Sequence, residues 1–320
     1  MNSTTLSLPS FAKINLSLRI LGKRPDGYHE LRTLLQTISL HDDLHFDLSG
    51  DGSIVLTCND QDIPTDERNL VVGAAYSLKD RYKVDKGARI RLHKRIPLQA
   101  GLGGGSSNAA VSLLALAKLW QIEVTEPDLH EIGEGLGADV PFFLLGGTAL
   151  GEGTGTTLSA LPDSLIRHLI VVTPNASVST AKAYAAVNSA ALTTPGVDPI
   201  LSRSRTGAQS QDSPQGLPQN DLKNDFESVI FDIEPEIKRT KAALLHAGAM
   251  DALLAGSGSS VFGIFSSREA QQIAINKIQL EAGWRMFACV TLSRNEYIRA
   301  LNVGGVSLVR SFKSDSDIGA

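Results

Sequence analysis

The chain has 320 residues, enough for about two domains of roughly 150 residues each. Hydrophobic residues make up 42% and charged residues 20%, which excludes global disorder, a collagen-like fibre and a coiled-coil rod. The 30 Lys and Arg against 34 Asp and Glu give a formal net charge of −4, so no general basic field favours nucleic acid or an anionic membrane as a partner.

The elements of the first half follow from hydrophobic periodicity. Apolar and polar residues alternate over residues 11–20, which predicts a strand with one buried face. A Pro-Asp-Gly turn follows at residues 25–27. Residues 31–40 are predicted to form a second strand or a mixed strand and loop. The next predicted elements are, in order, a strand, a helix, a strand and an alanine-rich buried helix: residues 53–58, 70–82, 88–96 and 108–120.

The second half continues the mixed pattern after a glycine-rich region at residues 146–155. Short helices at 128–135 and at Pro141 precede that region. Beyond it we predict, in order, a strand, a helix, a helix, two strands, a helix and a strand: residues 169–173, 179–187, 225–248, 252–255, 261–265, 269–282 and 285–292. Residues 202–220 contain almost no aliphatic side chains and are predicted to form a mobile polar surface insertion.

The cysteines and the N-terminal residues give an expectation for the cellular compartment of the protein. Cys58 and Cys289 lie far apart in apolar segments, which argues against a disulfide framework and fits a reducing cytoplasm. Residues 1–10 lack the regions of a signal peptide, and no apolar run approaches the ~18 residues of a membrane-spanning helix. We therefore expect a cytoplasmic protein.

A glycine loop between a predicted strand and a predicted helix is the sharpest chemical signal. Glycines without a Cβ let backbone N–H groups approach a ligand, and a helix N-terminus attracts anions. A tight strand-to-helix turn would need fewer glycines, so we interpret the loop as a phosphate site. It lacks the ending of a P-loop and the spacing of a dinucleotide fingerprint. Its residues are Pro97, Leu98, Gln99, Ala100, Gly101, Leu102, Gly103, Gly104, Gly105, Ser106 and Ser107.

Three polar residues have both a functional and an ordinary interpretation. Lys13 and Asn15 share one face of the first strand, about 6.6 Å apart, and could simply be solvated there. Asp139 precedes a short helix and could be its N-cap. The ordinary interpretations weaken only if Lys13 and Asp139 meet in space.

Two further features remain open on the residues alone. Tyr28 and His29 follow the Pro-Asp-Gly turn and could be a surface anchor and a solvated histidine. The Gly/Ser turn at residues 256–260 could be a plain hairpin or could wrap a phosphate with its N–H groups.

Segments 9–44, 97–120 and 253–265 together resemble the three motifs of the GHMP kinase superfamily. The resemblance implies a two-domain fold of the α+β or α/β class, with the active site in the cleft between the domains. The implied N-terminal domain is ribosomal protein S5 domain 2-like and covers residues 1–160. The implied C-terminal domain is ferredoxin-like and covers residues 161–320, with the polar insertion at about 202–220.

Residues 10–16, 24–31 and 137–142 resemble most closely those members that phosphorylate the tertiary 2-hydroxyl of a methylerythritol cytidine diphosphate in the non-mevalonate isoprenoid pathway. ATP is the implied phosphoryl donor, and Mg²⁺ is expected with it. No carboxylate pair identifies metal ligands, and the hydroxyls of Ser106 and Ser107 are candidates only. One alternative is another enzyme of the superfamily, such as a homoserine or mevalonate-type kinase or a diphosphomevalonate decarboxylase. The other is a non-catalytic nucleotide-binding relative.

The resemblance also implies a role for each candidate residue. Asp139 matches the general base and Lys13 its partner, while residues 97–107 match the ATP phosphate loop. Asn69 resembles a position near the adenine. The matches to the substrate site are Asn15, Tyr28, His29 and Tyr184. The long insertion and the Gln99-Ala100 pair depart from the family pattern.

Overall fold

The computed structural model describes residues 5–164, 166–188, 222–303 and 306–307, and the predicted insertion at 202–220 lies outside them. The strands are β1 (Thr5–Lys23), β2 (His29–Ser49), β3 (Ile54–Cys58), β4 (Gly87–His93), β5 (Thr148–Gly153), β6 (Thr157–Ala160), β7 (His168–Thr173), β8 (Lys223–Asn224), β9 (Asp251–Leu254), β10 (Val261–Phe265), β11 (Arg285–Val290), β12 (Asn302–Val303) and β13 (Val306–Ser307). The helices are α1 (Leu70–Tyr82), α2 (Gly104–Trp120), α3 (Glu126–Leu136), α4 (Val140–Leu145), α5 (Thr180–Asn188), α6 (Glu227–Ile233), α7 (Pro235–His246), α8 (Arg268–Lys277) and α9 (Arg294–Ala300).

The first sheet is built around the long antiparallel hairpin of β1 and β2. The C-terminal part of β2 also pairs with β4 and its N-terminal part with β5, so the path β3-β4-β2-β1-β8 branches to β5 and β6. Leu6 and Leu8 are buried and alternate with exposed neighbours, which carries β1 back to Thr5, well before the predicted start at residue 11.

The second sheet has the order β11-β7-β10-β9 and is antiparallel throughout. Successive side chains of β7 pack into two different hydrophobic cores, because neighbouring side chains of a strand point to opposite faces of the sheet. Leu169 and Val171 pack with Ile14 of β1, whereas Ile170 and Val172 pack with the helices of the C-terminal half. The two sheets therefore share an apolar layer, and α1, α2 and α4 cover the other face of the first sheet.

The structure confirms most predicted elements and corrects several boundaries. Helix α1 has the predicted bounds, but α2 begins at Gly104 instead of residue 108. Glycine's low helix propensity hides that first turn, while its tight packing on Ile96 requires a residue without a Cβ. Helix α8 stops at Lys277 instead of residue 282, because the half-exposed Leu280 adds no buried face. Helix α9 was not predicted.

Two stretches of the C-terminal half join the layers of the N-terminal half. β8 pairs with β1 in parallel, and Tyr297 of α9 lies in the core that α2 and α4 form on the first sheet. The domain boundary at residue 160 stays a prediction. Within the described ranges, no helix is both long enough and apolar enough to cross a membrane.

Candidate active site

The glycine loop connects β4 to α2 and presents backbone donors. Gly101 and Gly103 have φ values of 76° and 69°, in the region that favours glycine. Gly103 is the N-cap of α2 and, having no side chain, does not cap the first N–H groups of the helix. The first N–H groups of α2, together with the positive end of its dipole, therefore form a site that suits phosphate.

The Gly/Ser turn at residues 256–260 packs directly against this loop. Ser260 N donates to Ala100 O at 3.2 Å. A Cβ on Gly101 would lie 1.8 Å from Ala255 O, and a Cβ on Gly256 would lie 3.2 Å from Gly101 O. The Gly/Ser turn therefore packs backbone to backbone against the glycine loop. The two segments are too close for a side chain at the contacting glycines.

This contact predicts a large effect for Gly101→Ala. The new Cβ would meet the Ala255 carbonyl in a left-handed backbone conformation, so we expect the free energy of unfolding to fall by about 2–4 kcal/mol. Urea denaturation measures it. Gly105→Ala is the matched control, because Gly105 is exposed and its Cβ would lie 3.8 Å from Leu70 Cδ1. Equal stabilities of the two variants would contradict the close approach.

Lys13 and Asp139 meet at the edge of the glycine loop. Lys13 Nζ lies 3.5 Å from Asp139 Oδ2 and donates to Asn15 Oδ1 at 2.9 Å. The backbone N–H of Lys13 donates to Leu102 O at 3.0 Å, which anchors β1 to the loop. A Cβ on Gly256 would lie 3.3 Å from Lys13 Nζ, so the second turn reaches the ammonium as well.

The structure argues against the ordinary interpretations of Lys13, Asn15 and Asp139. Lys13 is only 4% exposed and Asn15 only 3%, so neither lies on a solvated strand face. Asn15 Nδ2 also donates to Thr33 Oγ1 at 2.7 Å. Asp139 precedes α4 but makes no capping hydrogen bond, and its side chain is 40% exposed beside Lys13. A buried ammonium thus faces an accessible carboxylate.

An aromatic cluster lies near Asp139. The rings of His29 and Tyr184 are stacked, with centroids 4.6 Å apart, and Phe226 meets Tyr184 edge-on at 5.0 Å. Burial and the charge of Asp139 raise the pKa of Tyr184 to about 12. Tyr28 is 67% exposed and stands apart from this stack, so the structure brings together His29 and Tyr184 of the predicted substrate residues.

The remaining predicted ATP residues divide into buried and exposed positions. Pro97 and Ala100 are buried, whereas Leu98 and Gln99 are exposed. Asn69 is the N-cap of α1, where its side chain accepts from Val71 N at 3.0 Å and its amide donates to a backbone carbonyl. Its side chain is engaged in capping, and its ATP role stays a prediction.

Buried polar groups beneath the glycine loop were missed from the sequence. Asp42 is fully buried and accepts from Lys94 Nζ at 2.8 Å and from Arg95 N and Ile96 N at 2.7 and 2.8 Å. Burial lowers the pKa of the Lys94 ammonium, and the charge of Asp42 opposes that shift. The pair shapes the chain as it leaves β4 for the loop, and no local pattern connects its members.

Asn224 and Ser10 are further buried polar residues that form hydrogen bonds to the Gly/Ser turn and to the glycine loop, respectively. Asn224 Nδ2 donates to Leu254 O at 2.8 Å and to Gly256 O at 2.7 Å, which fixes the start of the Gly/Ser turn. Ser10 Oγ donates to Ser107 Oγ at 2.7 Å in a buried contact. Ser107 is thereby held inside the protein, whereas Ser106 stays partly accessible.

The combination is suited to phosphoryl transfer. The loop offers N–H donors for phosphate oxygens, Lys13 supplies positive charge, and Asp139 can accept a proton from a hydroxyl. The aromatic rings near Asp139 can pack against an aromatic group on the acceptor.

Comparison with known families and sequences agrees with this chemistry. Residues 69–147 match the GHMP kinases N terminal domain, and residues 214–282 match the GHMP kinases C terminal domain. A 4-diphosphocytidyl-2-C-methyl-D-erythritol kinase of Solibacter usitatus is 43% identical over 92% of this chain and 90% of that protein. The enzyme of that name from Chlorobium phaeobacteroides is 42% identical over 84% and 92%.

Solved structures share the fold. A crystal structure of 4-(cytidine 5'-diphospho)-2C-methyl-D-erythritol kinase is 34% identical, with a TM-score of 0.73 over 89% of this chain and 99% of that one. Homoserine kinase from Cytophaga hutchinsonii has a TM-score of 0.66 at 20% identity, over 92% and 97% of the chains, which shows the fold alone.

Proposed function

The chain belongs to the GHMP kinases, and from that premise we propose that it transfers the γ-phosphoryl group of ATP to the 2-hydroxyl of 4-diphosphocytidyl-2-C-methyl-D-erythritol. The observation that carries the proposal is the 3.5 Å approach of Lys13 and Asp139 beside the glycine loop, in a chain about two-fifths identical to kinases of that name.

The glycine loop and α2 would hold the triphosphate. The N–H groups at the start of α2 bind phosphate oxygens, and the adjacent Gly/Ser turn closes the loop from the second sheet. This arrangement supports the proposed cleft between an N-terminal and a C-terminal domain. Phosphoryl transfer passes through a loose transition state, so positioning and charge neutralisation supply most of the rate.

Asp139 would act as general base and Lys13 as its electrostatic partner. The acceptor oxygen forms a bond to the γ-phosphorus while the bond to the ADP oxygen breaks, and the hydroxyl proton passes to Asp139. A tertiary hydroxyl is a weak acid, so the proton leaves late in the transfer. Lys13 offsets the negative charge that collects around the acceptor oxygen, and Asn15 holds its ammonium in place.

The residues present also fit Mg²⁺, which would be carried by the nucleotide. Mg²⁺ is commonly held by one or two carboxylates together with substrate phosphates. No group of three or more metal-binding side chains occurs in the part of the chain that the structure describes. The hydroxyl of Ser106, which is partly accessible in the first turn of α2, is the side chain that would help to hold it. Bound there, the ion would neutralise phosphate charge.

A coupled ADP-release assay tests the proposal. We expect turnover with 4-diphosphocytidyl-2-C-methyl-D-erythritol and background rates with homoserine and mevalonate. CDP should compete with the acceptor and not with ATP. Turnover of homoserine or mevalonate instead would assign another reaction of the family, and no turnover of any acceptor would favour a non-catalytic nucleotide-binding protein.

The aromatic cluster yields a specific expectation for the acceptor. Tyr184→Leu should raise the KM of the cytidine substrate about tenfold or more, because stacking on a base contributes about 1–3 kcal/mol. The KM for ATP should stay within about twofold. Phe231→Leu is the matched control, because it removes an aromatic ring from α6 that pairs with Lys241 and not with His29. Equal shifts in the two variants would contradict the assignment.

A further inference from the structure

Helix α9 belongs to the C-terminal part of the chain but packs into the N-terminal core. Ser293 and Glu296 form a capping box at its start, which fixes where the helix begins. One turn later, Tyr297 is 0% exposed and lies among the apolar residues of α2 and α4. The core therefore holds a tyrosine hydroxyl in an apolar environment, where it needs a partner.

The partner is the backbone of α4. Tyr297 Oη donates to Phe143 O at 2.5 Å, and burial raises the pKa of this hydroxyl above its usual range, which keeps it a donor. The ring covers the C-terminal end of the same helix, because a Cβ on Gly146 would lie 2.1 Å from Tyr297 Cδ1. Gly146, with φ of 68°, can turn the chain there only without a side chain.

Helix α4 carries Asp139 at its opposite end. Phe143 lies four residues beyond Asp139, about 6 Å along the helix axis. The Asp139 side chain makes no capping bond, so it does not anchor this end of the helix. The Phe143 ring also closes on the glycine loop, since a Cβ on Gly103 would lie 2.8 Å from Phe143 Cζ and 3.0 Å from Lys13 Cγ. The placement of α4 thus sets how Asp139 faces Lys13.

We propose that Tyr297 is a positioning residue for Asp139. It acts through α4: its hydroxyl and ring fix that helix, and the helix fixes the carboxylate beside Lys13. This inference rests on the proposed role of Asp139 as general base. Misplacing a reacting group by about 1 Å can lower a rate about 100-fold, so a partial loss of this contact should be visible in turnover.

The test is a double-mutant cycle of Tyr297→Phe with Asp139→Asn. Tyr297→Phe should lower kcat about tenfold and leave the KM for ATP within about twofold. In the Asp139→Asn background, the same substitution should lower kcat by less than about twofold, because the group that it positions is already gone. Tyr82→Phe is the matched control. It removes a hydroxyl that donates to Asp128 of α3, and kcat should not change.

The outcomes separate this inference from the proposed function. Full activity of Asp139→Asn alone would overturn the role of Asp139. If that variant is impaired, an unchanged kcat in Tyr297→Phe, or an equal loss in both backgrounds, would overturn the positioning role and leave the function intact. Should Tyr297→Phe fail to fold, Tyr297→His, which keeps a ring and a donor, goes through the same cycle and is judged by the same two outcomes.

Discussion

Replacing Asp139 by asparagine should lower kcat by about 10²- to 10⁴-fold and leave the dissociation constant of ATP within about twofold. Asparagine keeps the size of the side chain but cannot take up the hydroxyl proton. Because Asp139 is 40% exposed and does not cap α4, the change leaves the fold intact. Single-turnover rates and nucleotide titration measure the two quantities separately.

Glu134→Gln is the control for this variant. Glu134 is a half-exposed carboxylate on α3, paired only loosely with His130 at 3.9 Å, and its neutralisation should change neither quantity. A parallel fall of nucleotide affinity and turnover in Asp139→Asn would show that the carboxylate serves nucleotide binding and not proton transfer.

Lys13→Met should lower kcat by about 10²- to 10³-fold, the loss usual for a single charge that stabilises a transition state. Methionine fills a similar volume, so a site that is 4% exposed can accommodate it. It leaves Asn15 Oδ1 and Asp139 without the ammonium that both approach. The measurement is kcat at saturating concentrations of both substrates.

Lys118→Met serves as the control, because Lys118 is exposed in the last turn of α2 and is remote from the glycine loop. An unchanged kcat with a large rise in the KM for ATP would assign Lys13 to nucleotide binding. The melting temperature distinguishes a loss of activity caused by unfolding from a loss caused by the missing charge. It should fall by only a few degrees in Lys13→Met and in Lys118→Met.

The fold could be predicted from the sequence where the signals are local. Helix α1 has its predicted bounds because its apolar residues repeat at helical spacing; the structure adds that Asn69 caps its start. Helix α9 was missed, because its only fully buried side chain is Tyr297 and a seven-residue helix shows too little periodicity. Tyr297 reaches the core through contacts with residues far away in the sequence, and a local sequence pattern cannot predict such contacts.

The site residues, too, could be predicted where the signal is local and were missed where it is long-range. The glycine loop was identified from its composition. Lys13 and Asp139 were candidates from their positions in the sequence and received their roles from the family resemblance, but their approach in space is visible only in the structure. Asp42 and Lys94 remained hidden, since a buried ion pair between two strands has no local pattern. The catalytic and ligand-binding roles stay predictions until the variants are measured.

The contact between His29 and Tyr184 bears on inhibitor design. Two rings with centroids 4.6 Å apart leave no space for a third planar ring between them. A cytosine-like compound that inserts there must first separate the pair and gives up part of its affinity to do so. Scaffolds that contact the partly exposed tyrosine without separating the two rings avoid that loss, which makes them the better starting point for chemical screening.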